Sequence, residues 1–302
     1  MSSGRAFKLN NNTIIPAVGL GTWQSKPNEV YDAVRTALKA GYRHIDTAYV
    51  YRNEKEVGQA IKDSGIPREE LFITTKLWNT SHRPDTVQAA LERSLANLQL
   101  EYLDLYLMHW PIAFQPSPSN FPRDADKNIL LDSTDFTETY AAMEKLVGSR
   151  VRAIGVSNFS IANLEKLVQT AKIMPAVLQV ELHPYFPQWG LLAFCEKHNI
   201  HVTAYSPLGS TSSPVMEEQI VTDIAKKHNV SPAQVLLAWG VQRNCSVIPK
   251  SVTPSRIVSN FQDAILTKDD VDRLNTLAKS ERAKRLLDPS PIWGVDIFSS
   301  KL

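Results

Sequence analysis

At 302 residues with 43% hydrophobic side chains, the chain is too long and too apolar for a disordered segment, and it can build a large core. A net charge of +2 excludes a nucleic-acid partner held by bulk electrostatics. The opening Met1-Ser2-Ser3-Gly4-Arg5 lacks a secretory signal, and no run of about 18 apolar residues offers a membrane span, so a cytoplasmic protein without a membrane partner is expected.

Phe7-Lys8-Leu9 and Thr13-Ile14-Ile15 flank three asparagines and predict a short N-terminal hairpin over about 6–16. Ala17-Val18-Gly19-Leu20 reads as the first core strand. A helix over about 28–40 sets Val30, Val34, Ala37 and Leu38 on one face. A strand-like run then ends at Asp46, and a helix over 53–64 is broken by Gly65-Ile66-Pro67. The next run ends on Lys76. It is followed by a helix near 84–98 with Val87, Leu91, Leu95 and Leu98 in register. Tyr102 to Met108 forms another run, closed by His109.

From 111 to 135 the pattern stops, and Pro, Ser, Asp and Asn fill a stretch long enough to be a functional loop. Strands are then expected over 151–156, 177–180, 201–205 and 245–248. Helices are expected near 136–147, 160–171, 190–198, 217–228 and 231–242, the last capped by Ser231 with Pro232 at its first position. Thr253-Pro254 opens another helix, 268–280 predicts a final one, and the tail over 281–302 looks irregular. Cys195 and Cys245 read as buried thiols in a reducing compartment rather than as a pair.

Eight strands alternating with helices, with no dividing linker, predict an α/β protein: a single (β/α)8 TIM barrel spanning 1–302. In such barrels functional groups gather at the C-terminal strand ends. Asp46, Lys76 and His109 end three successive strand candidates, 30 and 33 residues apart, which is the length of one βα unit. Parallel neighbours would bring all three to one edge. An acid at the end of a buried strand needs a positive partner, and Lys76 is the candidate. Tyr51 stands five residues beyond Asp46. Singly, such residues pack or reach for water; their mutual spacing points to a shared site. No metal-ligand spacing and no Gly-x-Ser-x-Gly elbow is present. Gly19-Leu20-Gly21 is not a dinucleotide fingerprint, because Gln24 takes the third glycine position.

Five stretches resemble the aldo-keto reductase family, in its order and at its spacing. They are Gly41 to Ala48 with Tyr51; Leu103 to Pro111; Ala153 to Phe159; Tyr205 to Ser210; and Ile248 to Arg256. Gly21-Thr22-Trp23-Gln24-Ser25-Lys26 and Gly58 to Gly65 are especially similar to fungal members of the glycerol dehydrogenase and carbonyl reductase type. The resemblance runs from about residue 7 to about residue 280. It implies a barrel that binds NADP(H) across its C-terminal face, and a catalytic tetrad of Asp46, Tyr51, Lys76 and His109. Hydride transfer to a carbonyl leaves a developing alkoxide that needs a proton and an electrostatic partner. Tyr51 can give the proton, the Lys76 ammonium is expected to lower its pKa, Asp46 to hold Lys76 charged, and His109 to orient the carbonyl.

The resemblance also implies cofactor contacts. Ser157, Asn158 and Gln179 match those to the nicotinamide amide, and Tyr205 the stacking ring. Ser206, Pro207, Leu208 and Ser210 match the loop over the pyrophosphate. Lys250, Ser251, Val252 and Arg256 match the clamp on the 2′-phosphate, with Asn260 nearby, and Thr22, Trp23 and Asp46 complete the cradle. A helix start capped by Thr253 with Lys and Arg beside it suits a dianion. Leu178 and Ser259 depart from the family's Asn and Glu. Trp23, Trp78, Trp110 and His109, with Val50, Phe114 and Trp293, are the expected substrate walls. A small-molecule carbonyl substrate and a monomer are expected. A carbon–carbon double-bond reductase is disfavoured because His109 stands where those members carry glutamate. A non-catalytic regulatory or structural relative is the alternative reading.

Overall fold

Mostly buried strands alternate with amphipathic helices, and the strand sheet closes on itself. A computed structural model describes residues 4–298, except 27, 211–212 and 263. The outermost tail residues, 299–302, and the first three therefore lie outside the described residues.

The hairpin pairs β1 (Ala6–Lys8) with β2 (Ile14–Pro16) in antiparallel register. Leu9 and Ile15 pack against Phe72 and Val177, the first residues of two barrel strands, so the hairpin plugs the N-terminal end. The other end is left for the site.

The barrel strands are β3 (Leu20–Gly21), β4 (His44–Asp46), β5 (Phe72–Leu77), β6 (Leu103–Met108), β7 (Val151–Ser157), β8 (Val177–Glu181), β9 (His201–Tyr205) and β10 (Cys245–Val247). They pair parallel in chain order. Parallel bridges Val18–Val247 and Gly21–Lys250 close the ring. The first strand is shorter than its sequence suggested, because residues 17–19 bond to the closing strand and to Arg5 rather than to β4. The closure is tight: a Cβ on Gly21 would lie 2.8 Å from the Ile248 carbonyl oxygen, so only glycine fits without a shift.

The surrounding helices are α1 (Glu29–Ala40), α2 (Glu54–Ser64), α3 (Val87–Leu98), α4 (Phe136–Glu144), α5 (Ile161–Thr170), α6 (Trp189–Lys197), α7 (Gln219–His228), α8 (Pro232–Gln242), α9 (Pro254–Asn260) and α10 (Lys268–Asn275). The apolar face of α1 is buried as its periodicity requires, and Ser231 caps α8 in a reciprocal box with Gln234. Helix α3 begins at Val87, three residues later than expected. Two expectations of irregularity were too simple. The loop over 111–135 folds back on itself through Phe114–Leu131 and Arg123–Ile129 bridges, and the tail contains a helical turn, α11 (Ser290–Trp293). Both cysteines are buried and free. No described helix is long and apolar enough to cross a membrane.

Candidate active site

Asp46 ends β4, and its neighbour in register on β5 is Thr74. Strand alternation turns Thr74 and Lys76 to the same face, one step toward the C-terminal mouth. Lys76 Nζ lies 2.6 Å from Asp46 Oδ1 and donates to the Thr47 carbonyl at 2.8 Å. The two side chains are only 1% and 2% exposed, so neither charge would survive without the other. The second carboxylate oxygen, Oδ2, accepts from Gln179 Nε2 at 2.7 Å, across the barrel from β8. Beneath the pair, the Thr22 N–H and hydroxyl donate to the Asp46 carbonyl, both at 3.1 Å. Asn53 then ties Thr22 to Thr47.

Tyr51 closes a single helical turn, Tyr49–Tyr51, just beyond β4. Its ring lies 5.4 Å from Lys76 Nζ and 5.8 Å, edge-on, from the His109 imidazole. His109 follows β6 directly. Asn158 Nδ2 donates to its carbonyl at 2.9 Å, and its Nδ1 is buried without a protein partner. The four spaced residues thus meet at one mouth.

Burial holds the His109 imidazole well below its ordinary pKa, and the Lys76 and His82 charges push the same way, so the ring is neutral. Burial also lowers Lys76, against the pull of Asp46. Tyr51 departs from expectation: burial, with Asp46 and Tyr205 adding to it, raises the phenol well above 10.0. The lysine's charge is already matched by Asp46, so it does not offset the dry surroundings in the resting site.

On the β7–β9 side, Asn158 sits in left-handed backbone (φ 65°), which asparagine tolerates. Its side chain joins the Ser157 hydroxyl at 3.1 Å and accepts from the Tyr205 hydroxyl at 2.7 Å. Ser157, Asn158, Gln179 and Tyr205 are therefore linked to the tetrad by hydrogen bonds. Leu178 points the other way, into the main core, so its departure from the family pattern changes packing rather than this network. Ser206, Leu208 and Ser210 lie half-buried in the loop after β9, with Pro207 buried among them.

The rim near α9 is different. Lys250 and Arg256 are exposed, and neither makes an ion pair among the described residues. Among the described residues Lys250 reaches only the Gln24 carbonyl, at 3.3 Å. Thr253 occupies the N-cap position of α9 but its side chain makes no cap bond; instead the Ser251 hydroxyl accepts from the Thr253 N–H at 3.1 Å. Val252 packs on the core and Asn260 is buried. Ser259 back-bonds to the Arg256 carbonyl.

Aromatic side chains wall the mouth. Trp78, Trp110, Phe114 and Trp293 form a buried cluster, against which Val50 packs. Trp293 lies 5.1 Å from Trp110 and 5.0 Å from Phe114, both edge-on, so the tail comes back over the mouth. Trp78 Nε1 donates to the Asn120 carbonyl at 2.7 Å, which ties the 111–135 loop to the same wall. Trp23 stands apart from this cluster and is 37% exposed.

Sequence reasoning missed Asn53 and the Thr47 carbonyl, which brace the tetrad, and it missed the buried Glu181 and His183 on and beyond β8. A carboxylate two residues beyond Gln179 on a fully buried strand was the available signal.

A closed parallel barrel with a buried Lys–Asp pair, a tyrosine and a neutral histidine at its C-terminal mouth has the architecture of a barrel oxidoreductase. The chain belongs to the aldo/keto reductase family, whose model matches residues 17–279. It is 50% identical over 290 residues to aldo-keto reductase family 1 member A1 of Bos taurus, covering 91% of this chain and 89% of that one. It is 47% identical over 301 residues to glycerol 2-dehydrogenase (NADP(+)) of Saccharomyces cerevisiae, covering 95% of each. Among solved structures, the aldose reductase from Schistosoma japonicum superposes with a TM-score of 0.93 at 41% identity, covering 98% of this chain and 99% of that one.

Proposed function

We propose that this protein reduces aldehydes and ketones with NADPH, with Tyr51 as the proton donor. The observation that carries the reading is the meeting of Tyr51, His109 and the Lys76–Asp46 pair at one aromatic-walled mouth. The names of the relatives, an NADP(+)-dependent dehydrogenase among them, support the cofactor.

The residues present suit that cofactor. Tyr205 is half-buried at the mouth, a flat surface against which a nicotinamide ring would stack. Ser157, Asn158 and Gln179 would hold its amide, beside Thr22, Trp23 and Asp46. Ser206, Pro207, Leu208 and Ser210 would follow the pyrophosphate. Lys250, Ser251, Val252 and Arg256 would meet the 2′-phosphate, with Asn260 toward the adenine. Two exposed cations without ion pairs among the described residues suit a dianion.

When bound, the reduced nicotinamide supplies the hydride. The chain's own groups handle the oxygen. His109, neutral, can donate an N–H to the carbonyl oxygen without adding a cation beside Lys76. Tyr51 is fully protonated at rest because its pKa is raised, so the acid is always loaded. A developing alkoxide is a stronger base than a phenolate, so the transfer runs downhill. The phenolate left behind then faces Lys76, whose attraction acts only once that charge has formed. Trp78, Trp110 and Trp293 keep water from the reacting carbon.

The test is oxidation of NADPH and of NADH, side by side, with a panel from short aliphatic aldehydes to aromatic ketones. Turnover with aromatic aldehydes and a preference for NADPH is expected. Tight NADPH binding with no turnover on any carbonyl would favour a non-catalytic role.

A further inference from the structure

The strand that supplies Gln179 carries a second buried polar group. Glu181 lies two residues farther along β8, and the period of a strand turns both side chains to the same face. Its carboxylate is fully buried. A buried carboxylate persists only where donors meet both oxygens. Here they come from more than 100 residues away: the Leu286 N–H donates to Oε1 at 2.6 Å and the Leu287 N–H to Oε2 at 2.7 Å. His183 Nε2, equally buried, lies 2.8 Å from Oε1, where the imidazole N–H donates to the carboxylate. Next to this bond set, Arg285 stacks its guanidinium over Phe298 and Phe186, at 3.4 and 4.5 Å.

Apolar packing holds the far part of this segment, where Leu287, Val295 and Phe298 lie against the aromatic cluster, but not its entry. Ala283, Lys284 and Arg285 border an open cavity of about 670 Å³ facing Phe186, Gln188 and Trp189. The tail is anchored on its inner side by the carboxylate and leads directly into α11, which lays Trp293 on Trp78, Trp110 and Phe114.

We propose that Glu181, braced by His183, is a positioning residue for substrate choice. It fixes the backbone of Leu286 and Leu287, and through them the place of Trp293 over the mouth, while touching neither cofactor nor substrate. The inference rests on reading that mouth as the carbonyl pocket. A bulky aromatic carbonyl, which must lie against Trp293, depends on the anchor. A short aliphatic aldehyde does not reach it.

Glu181→Gln keeps the shape but turns one acceptor into an N–H donor facing another N–H. With NADPH bound, amide exchange at Leu286 and Leu287 should accelerate by about tenfold to a hundredfold. KM for an aromatic aldehyde should rise about tenfold with kcat nearly unchanged, and KM for a short aliphatic aldehyde should stay within about twofold. Glu181→Asp, which keeps the charge, should recover part of both effects. Unchanged exchange protection, or an equal KM loss for both aldehydes, overturns the proposal. Should Glu181→Gln fail to fold, Leu286→Pro removes one donor from the tail's side and is judged by exchange at Leu287 and by the same KM comparison. Exchange needs no turnover. A wild type inert toward every carbonyl would therefore sink the functional reading while exchange still decided whether Glu181 holds the tail.

Discussion

Lys76 and Lys250 stand at the same end of the barrel in opposite circumstances. Lys76 is 1% exposed, bonded to Asp46 and to the Thr47 carbonyl. Lys250 is exposed, with only the Gln24 carbonyl at 3.3 Å. The contrast extends to their neighbourhoods. The floor of the mouth is dry, and its polar groups are joined from Thr22 through Asp46 and Gln179. The rim beside α9 presents cations to solvent. Groups that must be aimed before a reaction starts are best fixed in a low-dielectric place, where their order costs nothing at the moment of reaction. Groups that capture a charged ligand from solution keep their charge accessible until it arrives. The floor should therefore answer mutation in turnover and stability, and the rim in binding alone.

The largest expected effect is on the floor. Tyr51→Phe should lower carbonyl turnover by about two to four decades while NADPH affinity, read from intrinsic tryptophan fluorescence, stays close to wild type. Near-wild-type turnover would mean that another group gives the proton. Next comes a matched pair of variants. Lys76→Met leaves Asp46 buried without its cation and should cost about 3–5 kcal/mol in urea unfolding. Lys250→Met should stay within about 0.5 kcal/mol. Equal losses would erase the distinction between floor and rim.

Acid should test the barrel interior away from the mouth. His44 on β4 and His201 on β9 are held by burial at about 4, below the ordinary 6.5. Below about pH 6.5 the unfolded chain therefore binds protons that the folded chain refuses, so stability is full above that value and falls as the pH drops toward 4. At about pH 5 each histidine should cost on the order of 2 kcal/mol, visible as a lower Tm, and replacing either by a neutral isostere should flatten the decline. The smallest effect belongs to the rim. Arg256→Ala should weaken NADPH binding about tenfold and leave NADH binding unchanged, and added salt should erode the NADPH preference. Equal weakening of both cofactors would show that Arg256 supports the loop instead of reading the phosphate.

The barrel, and the meeting of Asp46, Lys76 and His109 at one edge, were legible in the chain itself because both rest on local rules. Strand and helix periods are set by near neighbours, and strands about 30 residues apart in a parallel barrel must end at one edge, so Asp46, Lys76 and His109 had to converge. Helix α8 was readable for the same reason, since Ser231, Pro232 and Gln234 cap it from within four residues. Other features came only with the tertiary structure, since they depend on which distant groups become neighbours and on how dry the space between them is. Gln179 completes Asp46 from 133 residues away, and Glu181 holds a tail segment 105 residues later. Trp293 comes to rest on Trp110, 183 residues earlier in the chain. The direction of the Tyr51 shift was decided the same way. The order of neighbouring strands places Lys76 within reach, but only the packed mouth sets the dehydration of the phenol against a cation that Asp46 has already matched.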